Sequence, residues 1–174
     1  MTETVVERNA LERAIVLVCS LVLWVTTAVV FLILTANTIL RYISGSSLQW
    51  ANEIPELLFP WLVMSGVVLA AEKGAHIATV FVVDSVSSKT RRIIAIVASL
   101  TVALLYAVLV HATWGMLEIV HDEVSPILQV PGSVTYGCVM VGMVLLAVLA
   151  LQGAWRAWRG QRVANELDAH VAQG

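Results

Sequence analysis

Histidine and cysteine have the most distinctive chemistry in this sequence, because both bind metal ions and histidine also binds haem iron. The histidines are His76, His111, His121 and His170. The topology derived below places His76 and His111 at opposite membrane faces, so they cannot ligate the same haem. His111 and His121 have no clear set of further metal ligands near them in the sequence. We therefore interpret them as interfacial histidines and predict no cofactor and no bound metal.

The two cysteines, Cys19 and Cys138, are far apart in the sequence and do not form the CxxC pattern of redox or metal sites. We expect both to be small apolar residues within helices. The sequence also contains neither a phosphate-binding loop nor a nucleophile elbow. These observations predict that the protein is not an enzyme.

The helices that must position these residues are indicated by composition. Of the 174 residues, 59% are hydrophobic and 13% are charged, and the mean hydropathy of +0.88 is far above that of soluble domains. Four apolar stretches are long enough to cross a bilayer core, which needs about 20 helical residues. They cover residues 14–40, 54–71, 93–112 and 133–152. We therefore predict an all-α integral membrane fold in which residues 1–174 form one domain with four transmembrane helices.

Basic residues indicate the orientation, because Lys and Arg near the ends of membrane spans are retained in the cytoplasm. Of the ten basic residues, all but Arg41 lie before the first span, between the second and third, or after the fourth. This distribution predicts a multi-pass protein of the bacterial inner membrane with both termini in the cytoplasm. Residues 76–92 are predicted to be a cytoplasmic interfacial linker, and residues 155–174 a cytoplasmic tail. The net charge of −2 gives no indication of nucleic-acid binding.

The entry to the second helix, QWANEIPELLFPWLVMSG at residues 49–66, is the most informative local sequence. Asn52 is suited to be the N-cap, and Glu53 and Glu56 lie where the helix dipole favours carboxylates. Pro55 is tolerated in a first turn. Pro60 falls deeper and removes a helical hydrogen bond, so we predict a kink there, with Pro60 facing protein rather than lipid. Downstream, Gly74 is the expected C-cap of this helix.

Small residues recur at a spacing of four along the third helix, at Ala95, Ser99, Ala103 and Ala107. Small side chains let helix backbones approach closely in lipid. Alanine is also common in such helices, so chance explains the pattern equally well. The sequence does not decide whether the packing partner belongs to this chain or to another.

Acidic residues gather at the opposite face from the basic ones, at Glu53, Glu56, Glu118, Asp122 and Glu123. They are interpreted either as solvated loop charges or as a docking surface. The tryptophans near the helix ends, including Trp50, Trp61 and Trp114, suit the aromatic belt of a membrane protein.

A transporter that works alone normally has an ionisable group or a broken helix at mid-membrane. The centres of the four predicted spans contain no Asp, Glu, Lys, Arg or His, and Asn37 and Glu56 come nearest. The sequence therefore favours a supporting subunit of a larger membrane complex. Two alternatives stay open: a proton-coupled four-helix exporter, which would need a carboxylate deep in a span, and a membrane-anchor cytochrome subunit, which would need axial histidines at one face.

The order of several short motifs resembles the small membrane subunit of tripartite ATP-independent periplasmic (TRAP) transporters, the DctQ-type family, over about residues 13–152. The motifs are Asn37 with Arg41 and Tyr42, WANE at residues 50–53, Trp61 with Gly66, EKGAHI at residues 72–77, and Pro131 before the last helix. The chain departs from the family pattern at Gly132, Gly137 and Cys138, where the family often has an aromatic residue and a proline.

The resemblance implies a large multi-span permease subunit as partner, which carries substrate and sodium and moves like an elevator. It also implies a periplasmic binding protein that delivers the solute, which is typically a carboxylate. The residues that bind this solute would then lie on the other chains. The candidate contacts with the partner or with membrane lipid are Arg41, Trp50, Glu53, Glu56, Pro60, Trp61, Gly66, His76, Ala95, Ser99, Ala103 and Ala107.

Overall fold

The computed structural model describes residues 10–82 and 88–159, without the side chains of residue 10, residues 75–89 and residue 91. These residues form four helices, α1 (Ala10–Ser44), α2 (Trp50–Val82), α3 (Ser88–His121) and α4 (Ser133–Arg159). In the described part the β-structure consists of one isolated bridge, between Val124 and Pro131. Each helix contains a stretch long and apolar enough to cross a membrane. The predicted all-α membrane fold with four spans is therefore confirmed.

Helices α1, α2 and α3 extend beyond the predicted spans at both ends, whereas α4 starts at the predicted residue 133 and extends only at its C-terminal end. One predicted C-cap is wrong. Helix α2 continues through Gly74 to Val82, so Gly74 is not its C-cap. The glycine that ends a helix is Gly45, which follows α1 with φ of +68°. A C-cap of this kind needs the left-handed conformation, which glycine adopts without steric cost. The predicted linker contains helix as well: residues 76–82 belong to α2 and residues 88–92 to α3, while residues 83–87 lie outside the described residues.

The start of α2 also differs from the prediction. The amides of Ala51 and Asn52 donate to the carbonyls of Leu48 and Gln49, at 3.1 and 3.2 Å, so the helix begins before Asn52, which is not the N-cap. Because α2 starts at Trp50, Pro55 falls in the second turn rather than the first.

Both prolines of α2, Pro55 and Pro60, lie inside the helix. Each leaves the carbonyl four residues earlier without its usual amide donor. Pro60 is half-buried, and the kink there stays a prediction.

The helices form an open array in the order α1, α2, α4, α3. Helix α1 packs on α2, α2 on α4, and α4 on α3, so α1 and α3 lie at the two edges. We call the end that holds the α1–α2 and α3–α4 connections the loop end, and the opposite end, where α1 starts and α4 finishes, the termini end. This arrangement leaves broad helix faces uncovered by the chain itself.

The core is small and lies where α1, α2 and α4 meet. Its buried members are Ile15 and Cys19 of α1, Val68 of α2 and Leu146 of α4, and Tyr106 of α3 packs against them. In the most apolar 18 residues of each helix, only 6% to 17% of positions are buried inside the chain. The apolar surface that remains must be covered by lipid or by another protein.

Helices α2 and α4 approach most closely at Gly142, which is buried. A methyl group at this position would overlap the side chain of Met64, whose Cβ would lie only 3.1 Å away. At Gly137, five residues earlier on the same helix, a methyl group would meet no atom within 4 Å. The α2–α4 contact therefore depends on glycine at position 142 and not at position 137.

We predict that Gly142→Val destabilises the protein, because overpacking of this kind costs about 1–3 kcal/mol. Thermal unfolding of the purified chain in detergent should show a Tm lowered by several degrees. Gly137→Val is the matched control, since it adds the same side chain to the same helix in open space. Equal Tm values for the two variants would contradict the close contact at Gly142.

Candidate functional site

The side chain of Glu53 ties the start of α2 to the connection between α3 and α4. Its Oε1 accepts a hydrogen bond from the backbone amide of Ile127, and its Oε2 accepts one from the amide of Leu128, both at 2.9 Å. The carboxylate also lies in the first turn of α2, where the helix dipole favours negative charge. Both oxygens are thus used within the chain, whereas the sequence suggested a contact with a partner.

Asn37 makes the corresponding connection between α1 and α2. Its Oδ1 accepts a hydrogen bond from the amide of Leu48 at 2.9 Å, and its Nδ2 donates to Asn52 Oδ1 at 3.3 Å. We call Asn37, Asn52 and Glu53 the loop-end clamp. All three belong to the motifs that carry the family resemblance, and the fold brings them to one end of the array.

The segment held by the clamp, residues 122–132, is a compact loop with its own hydrogen bonds. The amide of Ser125 donates to the carbonyl of Val130 at 3.0 Å, and the amide of Gln129 donates to the carbonyl of Ser125 at 3.2 Å. Gly132 donates to the carbonyl of Glu123 at 2.7 Å. Because these bonds fix the loop internally, Glu53 positions it as a unit.

The surface of this loop is both acidic and apolar. Val124 and Ile127 expose 50% and 46% of their surface, beside the exposed carboxylates Asp122 and Glu123. Single exposed apolar side chains are normal on protein surfaces, so both predicted interpretations, solvated loop charges and a docking surface, stay open.

The other predicted contact residues divide by exposure. Arg41, Trp50 and Glu56 are exposed and available to a partner. Trp61 and Gly66 are half-buried, and a methyl group at Gly66 would lie 3.9 Å from the side chain of Leu23 on α1, so this part of α2 packs within the chain. His76 belongs to α2, but its side chain lies outside the described residues.

The small-residue row of α3 is divided in the same way. Ala103 is buried, Ala95 and Ser99 are half-buried, and Ala107 is exposed. Because α3 packs chiefly against α4, we assign the buried part of the row to that contact. Residues four apart on a helix are rotated by about 40°, so the row turns away from α4 as it approaches the loop end.

The described histidine side chains, His111 and His121, lie ten residues apart on α3 and do not converge. In the described residues no three His, Cys, Asp or Glu side chains are close enough to hold a metal ion. His121 Nδ1 is 2.9 Å from Ser133 Oγ, a hydrogen bond that joins the end of α3 to the start of α4. His111 is exposed, and His170 lies outside the described residues. Cys19 and Cys138 are both buried, free thiols.

Helix α3 continues past residue 112 to His121, so His111 lies within the candidate span Arg92–His121. Its predicted position at a membrane face stays a prediction, because the end of a helix does not mark the edge of the membrane. At about 1.5 Å per residue, His111 is about 15 Å from the end of the helix.

An ion pair at the termini end was missed by the sequence reasoning. Arg156 of α4 pairs with Glu12 of α1, and their side chains are 20% and 5% exposed. Glu12 lies one turn before Ile15, so the pair closes the core at this end and joins α1 directly to α4. The only sequence signal was an acidic residue in the first turn of α1 and a basic residue in the last turn of α4.

We predict that Glu53→Gln loosens the loop of residues 122–132, because an amide has one acceptor oxygen and its NH₂ group cannot accept from the second backbone donor. Losing a charged hydrogen bond costs about 1.5–3 kcal/mol. Hydrogen exchange followed by mass spectrometry should show faster exchange in the peptide that contains Ile127 and Leu128. The control is Glu56→Gln, which removes the same charge from an exposed position one turn later. Unchanged exchange in Glu53→Gln would contradict the clamp.

We also predict that Arg156→Met is strongly destabilising, since it leaves the buried Glu12 carboxylate without its cation, at a cost of about 3 kcal/mol or more. The double variant Glu12→Gln with Arg156→Met should recover most of the loss in Tm. Arg159→Met, which removes an exposed cation lying over the ring of Trp155, should change Tm little. The ion pair would be disproved as a stabilising contact if the two arginine variants unfolded alike.

The chain matches one protein family and, separately, individual proteins from other organisms. The family described as tripartite ATP-independent periplasmic transporters, DctQ component, matches residues 30–160. The chain is 24% identical to a Vibrio cholerae protein named as the small permease protein DctQ of a C4-dicarboxylate TRAP transporter, over 79% of this chain and 67% of that protein. It is 35% identical to y4mM of Sinorhizobium fredii over 84% of this chain but spans only 27% of that protein. The family match covers most of the chain, including both connections at the loop end, and the chain therefore belongs to the DctQ component family of TRAP transporters.

Proposed function

We propose that this chain is the accessory membrane subunit that braces the large sodium-coupled permease subunit of a TRAP transporter. One structural observation carries the proposal. The helix faces are largely uncovered within the chain, and the small core that the helices share is built from apolar side chains and closed at one end by an ion pair. An array of this kind offers its uncovered helix faces to a partner.

The relatives support a function beside another chain. A segment similar to this one makes up 27% of y4mM, where it is joined to a much longer polypeptide. The name of the Vibrio cholerae relative gives it as the small permease protein of a C4-dicarboxylate system. We therefore propose that the imported solute is an organic acid and that its ligands lie on the large subunit.

The loop end is proposed to face the periplasm. The described basic residues at the termini end, including Arg13, Lys73 and Arg92, outnumber the single Arg41 at the loop end, as expected for a cytoplasmic termini end in the inner membrane. In this orientation the acidic and apolar loop of residues 122–132 faces the compartment from which a binding protein delivers the solute. We propose that it contributes to the docking of that protein.

The self-sufficient exporter is disfavoured by the position of the ionisable groups. The side chain that lies deepest in a span, His111, is exposed on an edge helix and does not line a path between helices. The cytochrome alternative is disfavoured by membership of a transporter family.

The proposal predicts that a tagged copy of the chain, purified from its host in mild detergent, co-purifies with a large multi-span membrane protein in a fixed ratio. Deleting the chain should abolish sodium-dependent uptake of an organic acid by whole cells, and expressing it from a plasmid should restore that uptake. Intact uptake after deletion, together with purification of the chain alone, would refute the proposal.

A further inference from the structure

His111 presents an imidazole where the surrounding solvent is expected to be hydrocarbon. It makes no hydrogen bond in the described part of the chain, and its side chain is exposed. On its own helix, His111 is seven residues, about 10 Å, from Glu118 and 19 residues, about 28 Å, from Arg92. The imidazole therefore lies inside the uncharged stretch between these two residues, nearer to the loop end.

A polar side chain at this depth is costly when it faces lipid, because lipid tails offer no hydrogen-bond partner. Polar residues within spans therefore usually face protein or a water-filled cavity. Since the chain itself does not cover His111, the covering group must come from outside it. Lipid alone leaves both ring nitrogens unsatisfied.

The neighbours of His111 on the same face make a close approach possible. Ala107 and Gly115 lie one turn before and one turn after it, both are exposed, and a methyl group at Gly115 would meet no atom within 4 Å. Small residues on either side of a polar one let a second helix come near enough to hydrogen-bond with it. This face is turned about 120° from the side of α3 that carries the half-buried Ser99 and Tyr106, so it is open for a further helix.

We propose that the face of α3 formed by Ala107, His111 and Gly115 is where a transmembrane helix of the large permease subunit packs, with a polar group of that helix hydrogen-bonded to the His111 imidazole. The inference rests on the function proposed above and identifies the contact surface. Of the contact residues predicted from the sequence it keeps Ala107, and it adds His111 and Gly115.

Photo-crosslinking of the intact complex tests this surface with two matched positions. A benzophenone amino acid replaces either Leu104, which lies on the His111 face two turns away, or Leu105, which is turned about 100° from Leu104. The two leucines are similarly exposed, at 65% and 59%. We expect a crosslink to the large subunit from position 104 and at most a weak one from position 105.

Substitution of His111 supplies a second measurement. His111→Leu should lower the amount of large subunit retained on the tagged chain by about three- to tenfold, whereas His111→Gln, which keeps a hydrogen-bonding group, should retain most of it. The Tm of the isolated chain should be unchanged or raised in His111→Leu, because no described residue contacts the imidazole through a hydrogen bond. Equal retention in both variants would show that lipid covers this face and would overturn the proposal.

Other outcomes separate this inference from the function on which it rests. Crosslinks from position 104 to a second copy of the chain would overturn the proposed surface in favour of self-association. Crosslinks to the large subunit from position 105 alone would overturn it while leaving the proposed function standing. A chain that captures no large subunit from either position, and that purifies alone, would overturn both.

Discussion

The two backbone amides that donate to Glu53 set the geometry of the loop end. A connection between membrane helices carries amides that must find acceptors, and at Ile127 and Leu128 the acceptor is a carboxylate on a different helix pair. This bond pair fixes where α3 and α4 meet relative to where α1 and α2 meet. Asn37 does the same for the shorter connection. The α1–α2 and α4–α3 pairs are thereby held in one arrangement at the loop end, although few side chains are buried between them.

At the termini end, the Glu12–Arg156 ion pair joins α1 to α4. A small apolar core lies between this ion pair and the loop-end clamp. Buried ion pairs are weak contributors to net stability but specify which groups must meet. An array fastened at both ends can keep its shape while most of its side surface remains uncovered. That property would suit the bracing function proposed above, because the contacts that fix the array lie within the chain and its side surface stays free.

The number and type of the helices could be predicted from the sequence, since the length of each apolar run is set by the thickness of the bilayer. Helix ends could not. Gly74 has the sequence of a C-cap yet lies inside α2, because a glycine ends a helix only where the chain adopts positive φ, as at Gly45. The hydrogen bonds of Glu53 could not be predicted either, because its bond partners are more than 70 residues away. The Glu12–Arg156 pair has the same long-range character and left no readable pattern.

His111 shows how the end of a predicted span bears on a functional argument. The predicted span ends at residue 112, but helix α3 continues and the first charged residue beyond His111 is Glu118, seven residues on. The histidine is therefore an exposed polar group within an uncharged stretch of the helix. A side chain that bound a solute on a path through this chain would have to face the other helices. The His111 side chain faces outward, so it can act only on a molecule packed against α3, as the proposed contact with a partner requires.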